Sequence, residues 1–513
     1  MSSGRFDFRA AVPPATDLGR VHLIAIGGAG MSAVARLLLS AGVPVSGSDA
    51  QDSPGLADLR AAGAQVWVGH DARHVAGIDT VIVSSAIRED NVELVQARRD
   101  GARILHRSQG LAALTPARRV VAVAGANGKT TTTSMLVVAL NEAGAAPSFA
   151  SGALIPQLGT NAALAEGADF VVEADESDGS FVVYRPEVAV VTNVQPDHLD
   201  HYGDFAGVQA AYRAFIDTIP RGGLLIACAD DAGARDLAQH ARTRSLRVST
   251  YGRHESADVR IEEAEASDHG SRARLAVDGQ TYDLELAVPG AHNVENAAGA
   301  FAALTLGCAM APESALAGLG SFTGAARRFE SHGEPGGVRI IDDYAHNAPK
   351  VAAAVRTGAD LAGRRGGRLI VLFQPHLYSR TRDFADGFAA GLEPADEVVL
   401  LEIYGAREDP IEGVSSDLIA GPLRAAPGER VVRRAATFAA AEQAVLSTVR
   451  AGDVVMTIGA GDVTTVAPRL ASALAAGGSP AAAAQPATAA APTTTAAPTA
   501  GQHRQPMMGE GLR

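Results

Sequence analysis

Only two cysteines, Cys228 and Cys308, occur in 513 residues, and they lie far apart. That excludes a disulfide framework, and no Cys/His spacing resembles a zinc site, so a reducing compartment such as the cytosol is expected. Long apolar runs are also missing. Met1 to Arg20 has no apolar signal core, and the longest apolar stretches have strand length or are alanine-rich, so no membrane insertion is expected. Basic charge is scarce relative to acidic, 44 Lys and Arg against 57 Asp and Glu for a net −13. This disfavours a nucleic-acid or anionic-membrane partner while leaving room for a local basic pocket that takes a small anion. Monomer and dimer are equally compatible with these features.

What is present is an alternation of short β-branched runs and amphipathic segments: Val21–Ile26, Val81–Val83, Val120–Ala124, Phe170–Glu173, Val188–Asn193 and Gly223–Ala227. The order implies α/β architecture with mainly parallel sheets. The length is too great for one core, and about three domains is the natural prior. A break at Leu111 to Arg118, containing Pro116, separates the first unit from the second. Weak alternation over Val259 to Val288 suggests hairpins appended to the second. Arg339–Asp342, Leu369–Phe373, Glu397–Glu402 and Asp453–Ile458 form another doubly wound pattern. We therefore expect domains at 1–117, 118–325 and 326–471, with an Ala/Pro/Thr-rich tail at 472–513 too poor in apolar residues to offset ordering entropy.

Gly125-Ala126-Asn127-Gly128-Lys129-Thr130-Thr131 follows a strand and opens a helix, which makes a phosphate cradle. Lys129 would meet the β- and γ-phosphates of ATP, and the Thr130 hydroxyl would meet Mg2+. The loop is a shortened G-x-x-G-K-T, since Val123 stands where the longer signature has its first glycine. Glu173, at a strand end beside crowded Asp175, Glu176 and Asp178, is the carboxylate best placed for a cation. His198, flanked by Asp197 and Asp200, is a candidate for a second cation or a phosphate.

A second glycine turn, Gly28-Ala29-Gly30-Met31, follows the first strand, and Asp49 closes the next. This is the dinucleotide fingerprint with Ala33 as its last member, but such a turn grips phosphate oxygens, so NAD and other nucleotide diphosphates both remain open. Ser84 and Ser85 lie on the same rim. His292, Asn293 and Asn296 precede an alanine-rich helix, where Asn293 reads either as an N-cap or, with its neighbours, as an adenine contact. Arg327-Arg328-Phe329-Glu330, Asp342-Asp343-Tyr344-Ala345-His346 and Gln374 to Arg382 place arginines and carboxylates at strand ends of the third unit, fit to clamp anions.

Taken in order, G-G-A-G-M, S-S-A-I, G-A-N-G-K-T-T-T, E-A-D-E-S-D, T-N-V-Q-P-D-H-L-D, H-N-V-E-N, R-R-F-E, D-D-Y-A-H and Q-P-H-L-Y-S-R-T-R resemble the Mur ligases from about Val21 to Leu470. The resemblance implies a Rossmann-like domain for a UDP-sugar, a central P-loop-type ATPase and a C-terminal Rossmann-like domain. It also implies ATP-dependent attachment of L-alanine to the lactyl carboxylate of UDP-N-acetylmuramate. Gly28, Ala29, Gly30, Met31, Asp49, Ser84 and Ser85 would then hold the UDP-sugar. Lys129, Thr130, Glu173 and His198 would serve phosphate and metal, and His292, Asn293 and Asn296 the adenine. Arg327 would reach the phosphates, Asp343 the ribose, and His346 and Arg380 the amino acid, with His346 as the base whose ordinary pKa suits the task. Three stretches depart from the family's usual pattern: Ala126-Asn127 in the loop, Asn347-Ala348-Pro349 after His346, and Leu377 in place of an arginine. An NAD-dependent oxidoreductase and a non-catalytic ATP-binding switch are the rival readings.

Overall fold

The structure is a computed structural model that describes residues 5–267, 270–406 and 408–477. Three sheets run along the chain. In the first, the strands lie in the order Gln65–Val68, Val45–Asp49, Val21–Ile24, Thr80–Val83, Arg103–His106, all parallel. Val21–Ile24 is buried at every residue, as a central parallel strand covered on both faces must be. The order reverses between Val21–Ile24 and Thr80–Val83, so the glycine turn after Ile26 lies at the switch point where a ligand enters.

The central sheet has ten strands. Its parallel heart pairs Arg119–Ala124 with Val188–Val191 on one side and Asp169–Glu173 on the other. The phosphate loop and the carboxylates of Glu173 to Asp178 therefore leave adjacent strands at the same end. The expected hairpins are present as an antiparallel meander of Val259–Ala266, Ser271–Val277 and Gln280–Leu286 that extends one edge. The third sheet has six strands, parallel except for the edge pair Glu330–Ser331 with Arg339–Asp343. Its last helix, Val466–Ala475, runs four residues past the expected start of the tail at 472, and 478–513 lie outside the described residues.

The cores divide unequally. One apolar cluster is continuous from the first domain (Val34, Leu38, Leu111) into the second (Leu136, Phe149, Ile155, Phe301), whereas the third domain has two clusters of its own, one on each face of its sheet. Among the described residues no apolar cluster crosses the boundary near 326. Hydrophobic burial thus welds the first two domains together and leaves the third attached by polar contacts.

Under the first sheet a polar knot replaces part of the core. Glu93, fully buried, accepts from Ser48 Oγ at 2.5 Å and lies 3.0 Å from His70 Nδ1 and 2.7 Å from His74 Nδ1, while the buried His22 Nε2 stands 3.7 Å away. His74 stacks on Trp67, the one tryptophan of the chain, with ring centroids 4.4 Å apart. Burial works against the Glu93 charge, but the neighbouring His22 and the bonds with Ser48 and His74 outweigh it and hold its pKa down to about 2. A depressed carboxylate stabilises the fold fully above its unfolded pKa and loses that contribution as pH falls toward 2. Glu93→Gln is expected to cost about 3 kcal/mol at neutral pH by removing the charge that the buried His22 and the half-buried His70 and His74 surround, and to flatten the acid limb of stability below about pH 4.5. Urea unfolding followed by Trp67 fluorescence measures both.

Candidate functional site

The phosphate loop is shaped by its glycines and braced from the next strand. Gly128 has φ +85°, and a Cβ there would come within 2.5 Å of Asn296 Oδ1, so the loop and Asn296 are packed face to face. Asn127, the departure from the family pattern, donates its N–H to Asn193 Oδ1 at 2.9 Å and its amide to Gln195 Oε1 at 3.0 Å. Its carbonyl accepts from Thr192 Oγ1 at 2.5 Å. The departure therefore supplies an extra brace and leaves the cradle intact. Gly128 starts the helix Lys129–Glu142 without a side-chain cap, which leaves the first-turn N–H groups, including that of Thr131, for anionic oxygens.

Lys129 Nζ donates to Gly125 O at 2.6 Å and pairs with Glu176 at 2.8 Å, the Glu176 side chain being almost fully buried and that of Lys129 largely so. Burial opposes the ammonium, but Glu176, Asp175 and Glu173 outweigh it and hold the Lys129 pKa above the usual lysine value. Thr130 Oγ1 donates to Glu173 Oε1 at 3.0 Å, and Glu173 Oε2 accepts Gly152 N–H at 2.7 Å. His198 groups instead with Asp175 and Glu176, whose ligating atoms all lie within 4.8 Å of one another. Thr130, Glu173 and His198, the residues expected at metal, thus fall into two groups: a hydroxyl–carboxylate pair at the loop, and a two-carboxylate, one-imidazole group beside it. Both suit a hard divalent cation that retains waters.

The third domain reaches this centre through a different arginine from the one expected. Arg327 is held within its own domain: Nη2 donates to Gly459 O at 2.6 Å and to Gly461 O at 3.2 Å, Nε lies 3.6 Å from the buried Asp342, and the guanidinium sits 4.7 Å over the Tyr344 ring. Arg328 is the one that crosses, with Nη2 3.2 Å from Thr130 Oγ1. Left-handed backbone at Arg327 and Phe329, φ +59° and +50°, turns successive side chains to different sides. Asp343, expected at the ribose, uses both oxygens on backbone N–H groups, Phe329 at 2.9 Å and Ala345 at 2.8 Å, and so pins this linker.

Other expected positions are redistributed. The helix containing His292, Asn293 and Asn296 begins at Ala291, with Gly290 as N-cap, so Asn293 is not the cap; its amide donates to Pro289 O at 2.7 Å. His292 is exposed. His346 Nδ1 lies 2.9 Å from Tyr344 O, which as a carbonyl can only accept, so the proton is on Nδ1 and Nε2 is the free acceptor. Burial, reinforced by Lys350, Arg380 and His376, depresses its pKa to about 3, which contradicts the ordinary value assumed from sequence. Arg380 Nη1 donates to His346 O at 3.3 Å and lies 3.3 Å from His376 Nδ1, placing Arg380 and His346 together. Leu377 N-caps the following helix with φ +70° and no side-chain bond.

In the first domain, Gly28 N-caps the helix Ala29–Ser40 and Asp49 Oδ2 fixes the turn by accepting Gly27 N–H at 2.9 Å. Met31 is buried, so only its backbone can face a ligand. Ser85 donates to Asp178 Oδ2 of the central domain at 2.7 Å, and Ser84 shapes the turn through its carbonyl, which accepts Ile87 N–H at 3.2 Å. Arg107 was not singled out from sequence because a lone arginine after a strand carries no motif. Its Nη1 would meet a Cβ on Gly30 at 2.8 Å, and Nη2 stands 3.8 Å from Asp175. A cavity of about 630 Å3 joins these parts, lined by Gly30 and Arg107 from the first domain, Thr130, Glu173 and Asp175 from the second, and Arg327, Arg328 and Tyr344 from the third. Clusters distant in sequence therefore converge on one space.

Comparison with known proteins agrees with this geometry. Residues 20–119 match the description "Mur ligase family, catalytic domain", 123–304 the Mur ligase middle domain, and 327–461 "Mur ligase, glutamate ligase domain". The UDP-N-acetylmuramate–L-alanine ligase of Paenarthrobacter aurescens is 52% identical over 89% of this chain and 97% of its own length. That of Thermobifida fusca is 49% identical over 89% and 97%. Among solved structures, UDP-N-acetylmuramate-alanine ligase MurC from Thermotoga maritima superposes with TM-score 0.74 at 28% identity, covering 88% of this chain and 98% of that one. Three successive domain matches, identity near one half with full-length relatives and a common three-sheet frame establish that this chain belongs to the Mur ligase family.

Proposed function

We propose that the chain uses ATP and Mg2+ to join L-alanine to the lactyl carboxylate of UDP-N-acetylmuramate, through an acyl phosphate, in peptidoglycan precursor synthesis. The observation that carries this reading is the cavity lined jointly by Gly30 and Arg107 of the first domain, Thr130 and Glu173 of the second, and Arg327 and Arg328 of the third. No helix among the described residues is long and apolar enough to cross a membrane.

The geometry supports the following division of roles. The Gly28–Met31 turn and its helix N-terminus hold the UDP diphosphate, and Arg107, beside Gly30, steers the acid end of the sugar toward the cradle. Lys129 and the first-turn N–H groups hold the transferring phosphoryl oxygens, with Arg328 approaching from the opposite side; His292, Asn293 and Asn296 flank the adenine. Thr130 with Glu173, and His198 with Asp175 and Glu176, are the residues that would hold Mg2+, which when bound neutralises phosphate charge. A carboxylate is a poor electrophile, so phosphorylation must come first; the amine of alanine then attacks, and phosphate leaves. Arg380 offers a guanidinium to the alanine carboxylate. His346 Nε2, neutral and fixed, accepts a hydrogen bond from the incoming amine and so orients it, while its depressed pKa makes it a poor proton store.

Incubation with ATP, Mg2+, UDP-N-acetylmuramate and a panel of amino acids, followed by mass spectrometry, is expected to give the alanine adduct. Lys129→Ala is expected to abolish it, a loss of at least about a thousandfold. Saturable NADH binding, or gain of another amino acid with alanine inert, would overturn the assignment. Arg328→Ala is expected to lower kcat by about tenfold to a hundredfold while the KM for the UDP-sugar holds, and steady-state kinetics will register the split. Because His346 is already neutral above about pH 3, His346→Gln is expected to lower the rate without moving the pH profile between about pH 5 and 9.

A further inference from the structure

The third domain meets the central one at a second point, away from Arg328. Asn347 N-caps the helix Ala348–Arg364, its side chain accepting Lys350 N–H at 3.0 Å, and its amide nitrogen reaches Asp197 Oδ2 at 3.4 Å. Lys350 Nζ stands 3.6 Å from the same Asp197 oxygen. The other oxygen of Asp197 accepts the backbone N–H of His198 at 2.9 Å. One carboxylate therefore receives two donors from the third domain on one side and fixes the His198 backbone on the other.

The placement of Lys350 is costly for its own helix. A cation in the first turn opposes the positive end of the helix dipole, and this first turn holds no acidic residue. Burial, together with the cations Lys129 and Arg328, pulls the Lys350 ammonium below the usual lysine value, while Asp197 opposes that drift. Once docking has buried Lys350, Asp197 is the carboxylate beside it that offsets this cost. His198, in turn, holds a left-handed backbone at φ +54°, a conformation that needs an outside restraint in a residue with a side chain.

We propose that Asp197, Lys350 and Asn347 form a clasp that registers docking of the third domain and transmits it to His198, making Asp197 and Lys350 positioning residues for the reaction. The inference rests on the ligase reading given above for its kinetic consequence, and on the contacts alone for its structural one.

The test uses the full chain and the variants Lys350→Met, Asp197→Asn, their combination and Lys350→Arg, each checked for an unchanged melting temperature. Each single loss of charge is expected to lower kcat about tenfold with the KM for UDP-N-acetylmuramate unchanged. The double variant should be no slower than either single one, and Lys350→Arg should retain most of the activity. Small-angle X-ray scattering should give Lys350→Met a larger radius of gyration than the wild type. Wild-type kcat in the single variants, losses that multiply in the double variant, or equal radii would each overturn the clasp. A wild-type chain that ligates nothing would instead overturn the ligase reading, and the scattering comparison would still decide the clasp.

Discussion

The centre of this molecule is an excess of negative charge that it cannot balance from one domain. Glu173, Asp175 and Glu176 leave the end of a single strand, and Lys129 is the cation buried among them. Carboxylates this close repel unless positive charge is brought in. The chain brings it from both flanks, with Arg107 of the first domain 3.8 Å from Asp175 and Arg328 of the third 3.2 Å from Thr130. Divalent cations and a nucleotide would rearrange this balance, since phosphates compete for the cations and metals for the carboxylates. The same electrostatics that disfavours the isolated central site thus recruits its neighbours and its ligands.

The three domains are joined in unlike ways. Between the first and second, apolar side chains merge into one cluster, and Arg36 Nη2 adds a bond to Asn161 Oδ1 at 2.7 Å. Between the second and third, the described contacts are polar and few. Apolar burial resists rearrangement, whereas polar contacts exchange with water at little net cost. The Gly28 turn and the phosphate loop are therefore fixed relative to each other, and the third domain supplies the adjustable part.

Much of this was legible in the sequence because it is local. The run Val120–Ala124 followed by Gly-x-x-Gly-Lys-Thr needs only its own strand and helix to form, and the mainly parallel character of the sheets follows from alternation. What escaped was set by elements remote in sequence or by backbone direction. Val431–Ala435, an edge strand with mostly exposed residues, lacks the continuous apolar run of a central strand and was not expected. Arg327 and Arg328 cannot be told apart by spacing, since left-handed residues in the linker decide which one faces the loop. The intrinsic pKa of His346 said nothing of its burial, and Arg107 and Lys350 acquire meaning only from partners 68 and 153 residues away.

The sparse, polar boundary near 326 has an evolutionary corollary. A chain whose acceptor and energy sites share one oily interior can trade its last module for another without repacking that interior, provided a few charged partners are kept. Exchange of the third module by recombination becomes accessible at a seam where little sequence has to match.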